Sequence, residues 1–132
     1  MGDAGPALFD VVSLLSYLPT PLLQDDDTVE AWASIFAAGV HFPKPGRLAQ
    51  WQSAVTWADR ADRDADRVRI AAPCLVLAFE HDWDCPPAMA RAAAATIPGA
   101  RYVELGGCGH LAVFDRPDDV ATELLTWLGT VA

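Results

Sequence analysis

The chain has 132 residues, the size of one ordinary domain or of part of a larger one. It sets 18 Asp and Glu against 9 Lys and Arg, a balance that argues against a nucleic-acid partner, whose phosphates need clustered cations. No run reaches the roughly 20 apolar residues that cross a bilayer, and Met1 opens no basic stretch with an apolar core, so no membrane is implicated and the expected location is cytoplasmic.

Residues 1–58 read as an all-helical region. Leu8, Val11, Val12 and Leu15 recur at helical spacing until Pro19 and Pro21 stop the run. A second helix is predicted from Asp27, which would cap it while Glu30, three positions on, completes a capping box. Val29, Trp32, Ala33 and Phe36 supply its apolar face, and Gly39 its end. His41 reads as a loop residue. A third helix follows Pro45, with Leu48, Trp51 and Val55 on one side. Residues 59–72 then form a charged linker in which ADRDADRVR interleaves Asp and Arg. Such exposed pairs contribute only a few tenths of a kcal/mol each.

From Pro73 the pattern changes. CLVLAF (74–79) is a continuous apolar run, as expected of a strand covered on both faces. PPAMARAAAATI (86–97) reads as a helix opening on proline, with Met89, Ala92, Ala93 and Ile97 facing inward. Pro98 and Gly99 turn the chain into a second strand, ARYVEL (100–105). A glycine loop, GGCGH, follows. The last helix carries Asp118 and Asp119 in its first turn, where the helix dipole favours them, and ends before Gly129.

Strand, helix, strand, helix implies an α/β fold with parallel strands joined by a crossover. Two parallel strands alone leave an unpaired edge and too little core. No third strand is legible, so the 73–132 segment is expected to borrow a sheet from elsewhere.

Each strand leads into a loop bearing a polar residue: Asp82 after the first, His110 after the second. Sites in open parallel sheets form at the carboxyl ends of strands. Adjacent strands would put both residues on one rim, where a carboxylate can hold an imidazole as a general base. Two other chemistries attach to the same rim. Cys74, Cys85 and Cys108 form an odd set without CxxC spacing, as free thiols in a reducing compartment do. Cys85, Cys108, His81 and His110 are ligand types for zinc, although their spacings match no standard zinc pattern. Cys108 as a nucleophile would need an awkward geometry two residues from His110.

Residues 73–128 resemble the C-terminal end of the α/β-hydrolase superfamily. PCLVLAFEHDWDCPP resembles its P-x-L-x-x-x-G-E-x-D-x-x-x-P segment. IPGARYVELGGCGH resembles I-P-x-A…G-x-G-H, and HLAVFDRP follows as H-x4-[ED]-x-P. Phe79 stands where that family usually has glycine. The resemblance implies Asp82 as triad acid, His110 as triad base, no cofactor, and a helical cap over residues 1–58 that roofs the pocket. Trp32, Phe36, Trp51 and Trp57 of that cap, and Trp83 beside the acid, become candidate substrate-binding residues, although an ordinary core or interface role suits each aromatic better when taken singly.

The base then has no nucleophile among these residues. Ser13, Ser16, Ser34 and Ser53 lie in no G-x-S-x-G elbow. Missing strands and missing nucleophile point to one partner, a second polypeptide carrying the N-terminal half of the fold. The expectation is a split hydrolase acting on the ester or thioester of a small-molecule acyl substrate, with secondary metabolism as its setting by analogy. The alternative keeps the fold and drops the chemistry, leaving a non-catalytic binding or scaffolding subunit. A homodimer pairing strand to strand would explain folding but bring no nucleophile.

Overall fold

The computed structural model describes residues 5–38 and 44–131. Gly39, His41 and the side chain of Leu8, all named above, lie outside what is described.

Strands form where aliphatic runs are bounded by proline or glycine. β1 (Leu75–Phe79) and β2 (Arg101–Leu105) pair in parallel, with Leu75 opposite Arg101 and Phe79 opposite Leu105. Helix α5 (Pro87–Thr96) makes the crossover and packs on β1. Pro87 sits in its first turn, where a missing N–H breaks no helical bond. The inner stripe of α5 is Ala90, Ala93, Ala94 and Ile97. Met89 and Ala92, expected to face inward, are exposed, because small alanines let the helix approach the sheet along a stripe rotated by one residue. Gly99, at φ +71°, supplies the left-handed step into β2.

After β2 the chain makes a one-turn helix α6 (Ala112–Asp115) and then α7 (Pro117–Val131). Gly129 lies within α7 rather than beyond it, a position in the last turn where glycine's lost helix propensity of about 1 kcal/mol is tolerated. Cys108, Ala112 and Val120 form the buried cluster beneath the second loop, with Leu77, Phe79 and Leu105 packed against it.

In the helical half, α1 (Gly5–Tyr17) buries Ser13 and Leu14, and Leu18 and Pro19 are buried just past its end. Val11, Val12 and Leu15, expected on its packed face, are exposed. A 3₁₀ turn at Leu22–Gln24 delivers Asp25 in an extended conformation, φ −105° and ψ 109°. That is cap geometry, and Asp25 Oδ1 accepts the Thr28 N–H at 2.7 Å. Helix α2 therefore runs Asp26–Ala38, and its cap is Asp25 rather than Asp27. Three consecutive aspartates offer the same cap chemistry; the preceding turn chooses among them.

Helix α3 (Lys44–Asp59) carries Leu48, Trp51 and Val55 on exposed positions. The charged linker contains a short helix, α4 (Arg63–Arg67). Arg60 pairs with both Asp62 and Asp66, and Arg67 with Asp64, all at 2.6–2.8 Å. Among the described residues the sheet has two strands, and no helix is long and apolar enough to cross a membrane.

Candidate active site

The parallel register ends both strands at one level, and the two following loops are then tied together by their backbones. The Glu80 N–H donates to the Leu105 carbonyl at 3.0 Å, and the His81 N–H to the Cys108 carbonyl at 2.8 Å. Glu80 Oε2 accepts the Gly107 N–H at 2.8 Å, steadying a turn in which Gly107 takes φ +68°. Phe79, in the place of the expected glycine, needs no glycine-only conformation: no described non-glycine residue has positive φ. Its side chain packs on the Cys108 cluster, and the loop closes from an extended strand end.

This framework brings Asp82 and His110 together. His110 Nδ1 lies 3.1 Å from Asp82 Oδ1 and 3.0 Å from Oδ2. The Asp82 side chain is 5% exposed and that of His110 is 30% exposed. A buried carboxylate needs donors, and Asp82 Oδ1 has two more: the Asp84 N–H at 2.9 Å and the Cys85 N–H at 2.7 Å. The loop folds around its own acid. Since a carboxylate only accepts, the proton between the pair sits on Nδ1, which leaves the Nε2 lone pair free to take a proton. That is the chemistry of an oriented base.

A residue the sequence reading passed over completes the histidine's surroundings. The Tyr17 ring stacks on the imidazole, centroids 4.7 Å apart and planes 26° from parallel. Desolvation, then the charges of Asp84 and Asp82, push the Tyr17 hydroxyl above its ordinary range, so the ring is neutral. Gly109 lets this happen: a Cβ there would lie 2.5 Å from the Tyr17 carbonyl oxygen. No spacing rule links positions 17 and 110; the one local signal is an aromatic at a helix end just before Leu18–Pro19.

From Tyr17 an aromatic chain runs to Phe36 at 6.0 Å, to Trp32 at 6.0 Å, and back to Phe114 of α6 at 6.4 Å. Trp32 and Phe36 are thus joined to the histidine through Tyr17. Trp51, Trp57 and Trp83 take no part in that chain. Trp51 is exposed on α3, Trp57 lies under the Arg60 guanidinium at 5.2 Å, and Trp83 is 78% exposed on the acid loop.

The thiols and hydroxyls separate cleanly. Cys108 is buried, its Sγ directed to the Gly106 carbonyl at 3.4 Å, and desolvation pushes its thiol up; it serves the core rather than the rim. His81 faces Glu80 at 3.7 Å. The ligand types that do converge are Asp82, Cys85 and His110, whose donor atoms all lie within 4.8 Å of one another. The hydroxyls of Ser16 and Ser53 donate to carbonyls of their own helices. Among the described residues no serine hydroxyl bonds His110.

The chain is similar to known proteins over nearly its whole length. The "Putative non-heme bromoperoxidase BpoC" of Mycobacterium tuberculosis is 32% identical over 127 residues, covering 96% of this chain and 47% of that protein. The chain therefore spans about half the length of the curated relatives it matches. The crystal structure of BpoC from strain H37Rv superposes with a TM-score of 0.83 at 31% identity, over 96% of this chain and 46% of that one. An esterase from Thermogutta terrifontis shares the fold at 21% identity, with a TM-score of 0.69 over 98% of this chain and 46% of that one. Residues 2–123 match the Alpha/beta hydrolase family, and the chain belongs to it.

Proposed function

We propose that this chain supplies the acid and base of a Ser-His-Asp triad in an ester or thioester hydrolase, and that the nucleophile comes from outside these 132 residues. The observation that carries the reading is the His110–Asp82 pair, 3.0 Å apart on neighbouring strand-end loops. Asp82 fixes the imidazole through Nδ1; Nε2 then accepts a proton from an incoming hydroxyl and returns it to the leaving group. The complement is a polypeptide segment bearing the remaining strands, an oxyanion loop and a serine in a strand–turn–helix elbow. Supplied as a second polypeptide, it makes the enzyme a heterodimer. The 1–58 region acts as the cap. Trp32, Phe36 and Phe114, chained to the histidine through Tyr17, favour an apolar acyl group beside the base.

The test is co-expression with the product of the adjoining reading frame, followed by size exclusion and an assay on p-nitrophenyl esters and an acyl thioester. The expected result is a 1:1 complex whose turnover falls by about 10³-fold or more in His110→Ala. A complex whose turnover is indifferent to His110→Ala would make this a non-catalytic subunit. Failure of the chain to associate with any segment of the fold's N-terminal half would remove the proposal.

A further inference from the structure

Beside the acid–base pair stands Cys85, a thiol that triad chemistry does not use. It is exposed, three residues past Asp82, and its Sγ belongs to the group whose donor atoms all lie within 4.8 Å: one sulfur, one carboxylate oxygen and one imidazole nitrogen. On His110 the nitrogen facing the carboxylate is Nδ1. Of the Asp82 oxygens, Oδ1 is engaged by the Asp84 and Cys85 N–H groups, whereas Oδ2 meets only the imidazole. A soft-to-borderline divalent cation takes this N, O and S set at about 2.0–2.3 Å, with water in a fourth, open position. To reach a tetrahedral arrangement the exposed Cys85 side chain closes by roughly an ångström, while the His110–Asp82 pair, now 3.0 Å apart, opens by a few tenths of an ångström.

We propose that Asp82, Cys85 and His110 form an inhibitory zinc site at the acid–base pair. The cation replaces the shared proton of the His110–Asp82 bond. Cys85 releases its thiol proton to solvent on binding, and the proton displaced from Nδ1 reappears on Nε2. With Nε2 protonated the imidazole holds no lone pair for a nucleophile's proton, so the metal switches the base off. The binding step stands on geometry alone; the inhibition rests on the triad reading above, and two readouts separate them.

For binding, Co²⁺ is titrated into the purified 132-residue chain itself. The expected signature is a near-ultraviolet thiolate-to-cobalt charge-transfer band that Zn²⁺ bleaches. Cys85→Ser abolishes the band and weakens Zn²⁺ binding by about tenfold or more, a loss of about 1.4 kcal/mol. His110→Ala weakens Zn²⁺ binding comparably. A band that survives Cys85→Ser, or Zn²⁺ affinity unchanged in His110→Ala, overturns the site. As a check independent of folding in the variants, Zn²⁺ should slow alkylation of Cys85 in the unsubstituted protein; an unchanged rate counts against it. For inhibition, ester turnover is measured with Zn²⁺ and again after EDTA. A loss reversed by EDTA is expected, and the ratio of the two rates should approach one in Cys85→Ser. If the binding results hold but turnover ignores Zn²⁺, the inhibition is refuted; if no turnover exists at all, it is the triad reading that has failed.

Discussion

His110 is held from three directions: by Asp82 at Nδ1, by the Tyr17 ring against its face, and by a loop whose Gly109 admits the Tyr17 carbonyl. Under the proposed function Tyr17 would be a positioning residue, because it touches the imidazole and not the substrate. Orientation effects of this kind are sensitive to the ring face and indifferent to the hydroxyl. Tyr17→Ala is therefore expected to lower kcat of the assembled enzyme by about tenfold, while Tyr17→Phe restores it to within about twofold. Equal losses in both variants would contradict stacking as the cause. Asp82→Asn retains the shape but favours the wrong tautomer, and a fall in kcat of about 10⁴-fold is the scale known for that change in serine proteases. Asp115 makes the opposite kind of case. Its Oδ1 is buried without a partner, and desolvation raises its carboxyl above the ordinary value of 3.8, with backbone N–H groups and the Arg116 charge only partly offsetting it. A folded-state value above the unfolded one means the folded chain binds the proton more tightly. The stability from this group is then fully present below about pH 3.8 and lost as pH rises through the raised value. Asp115→Asn should melt higher than the parent at neutral pH, with the difference closing on acidification. Parallel melting curves across that range would remove Asp115 from the account.

At the scale of elements, the two loops form one unit because the strands that launch them are in register and their backbones cross-bond beyond the sheet. Gly109 is where the helical half locks onto that unit. A Cβ there would meet the Tyr17 carbonyl at 2.5 Å and Pro19 Cδ at 2.8 Å, so backbone rather than a flexible side chain must yield. Gly109→Ala is expected to cost about 1–3 kcal/mol in denaturant unfolding and to lower turnover as Tyr17 leaves the imidazole. The strands and α5 were legible to within one residue at each end, since continuous aliphatic runs bounded by Pro73, Pro86 and Gly99 admit little else. The juxtaposition of Asp82 and His110 was also legible, because it follows from parallel pairing alone. Three features were not. The Asp25 cap depends on the turn before it, and α6 is a single turn, too short to show a period. Tyr17 touches the site through tertiary packing that no local pattern encodes.

For the whole molecule, the same physics that made the strands legible leaves them sparsely covered among the described residues. Parallel sheets occur almost only with both faces covered, and an open edge presents unpaired backbone groups. Here most sheet residues are only half-buried, and the described residues pair the two strands only with each other. On the helices, Val11, Val12 and Leu15 of α1 are exposed, as are Leu124, Leu125 and Leu128 of α7. These six side chains sit on amphipathic helices at positions that ordinarily face a core. Monomers rarely expose contiguous apolar patches beyond a few hundred Å². An apolar surface of this kind has a measurable consequence. The 132-residue chain on its own should bind a hydrophobic dye, self-associate as its concentration rises, and exchange the amides of β1 and β2 rapidly. Assembly with the N-terminal half should suppress all three, and the strand amides should become the slowest in the complex. Leu125→Glu, a charge placed on an already exposed position, should leave the isolated chain no less folded yet weaken an assembly that uses this face. A chain that alone is monomeric, dye-silent and strongly protected at β1 and β2 would show that its sheet needs no addition, and the case for a complementary segment would lose its physical basis.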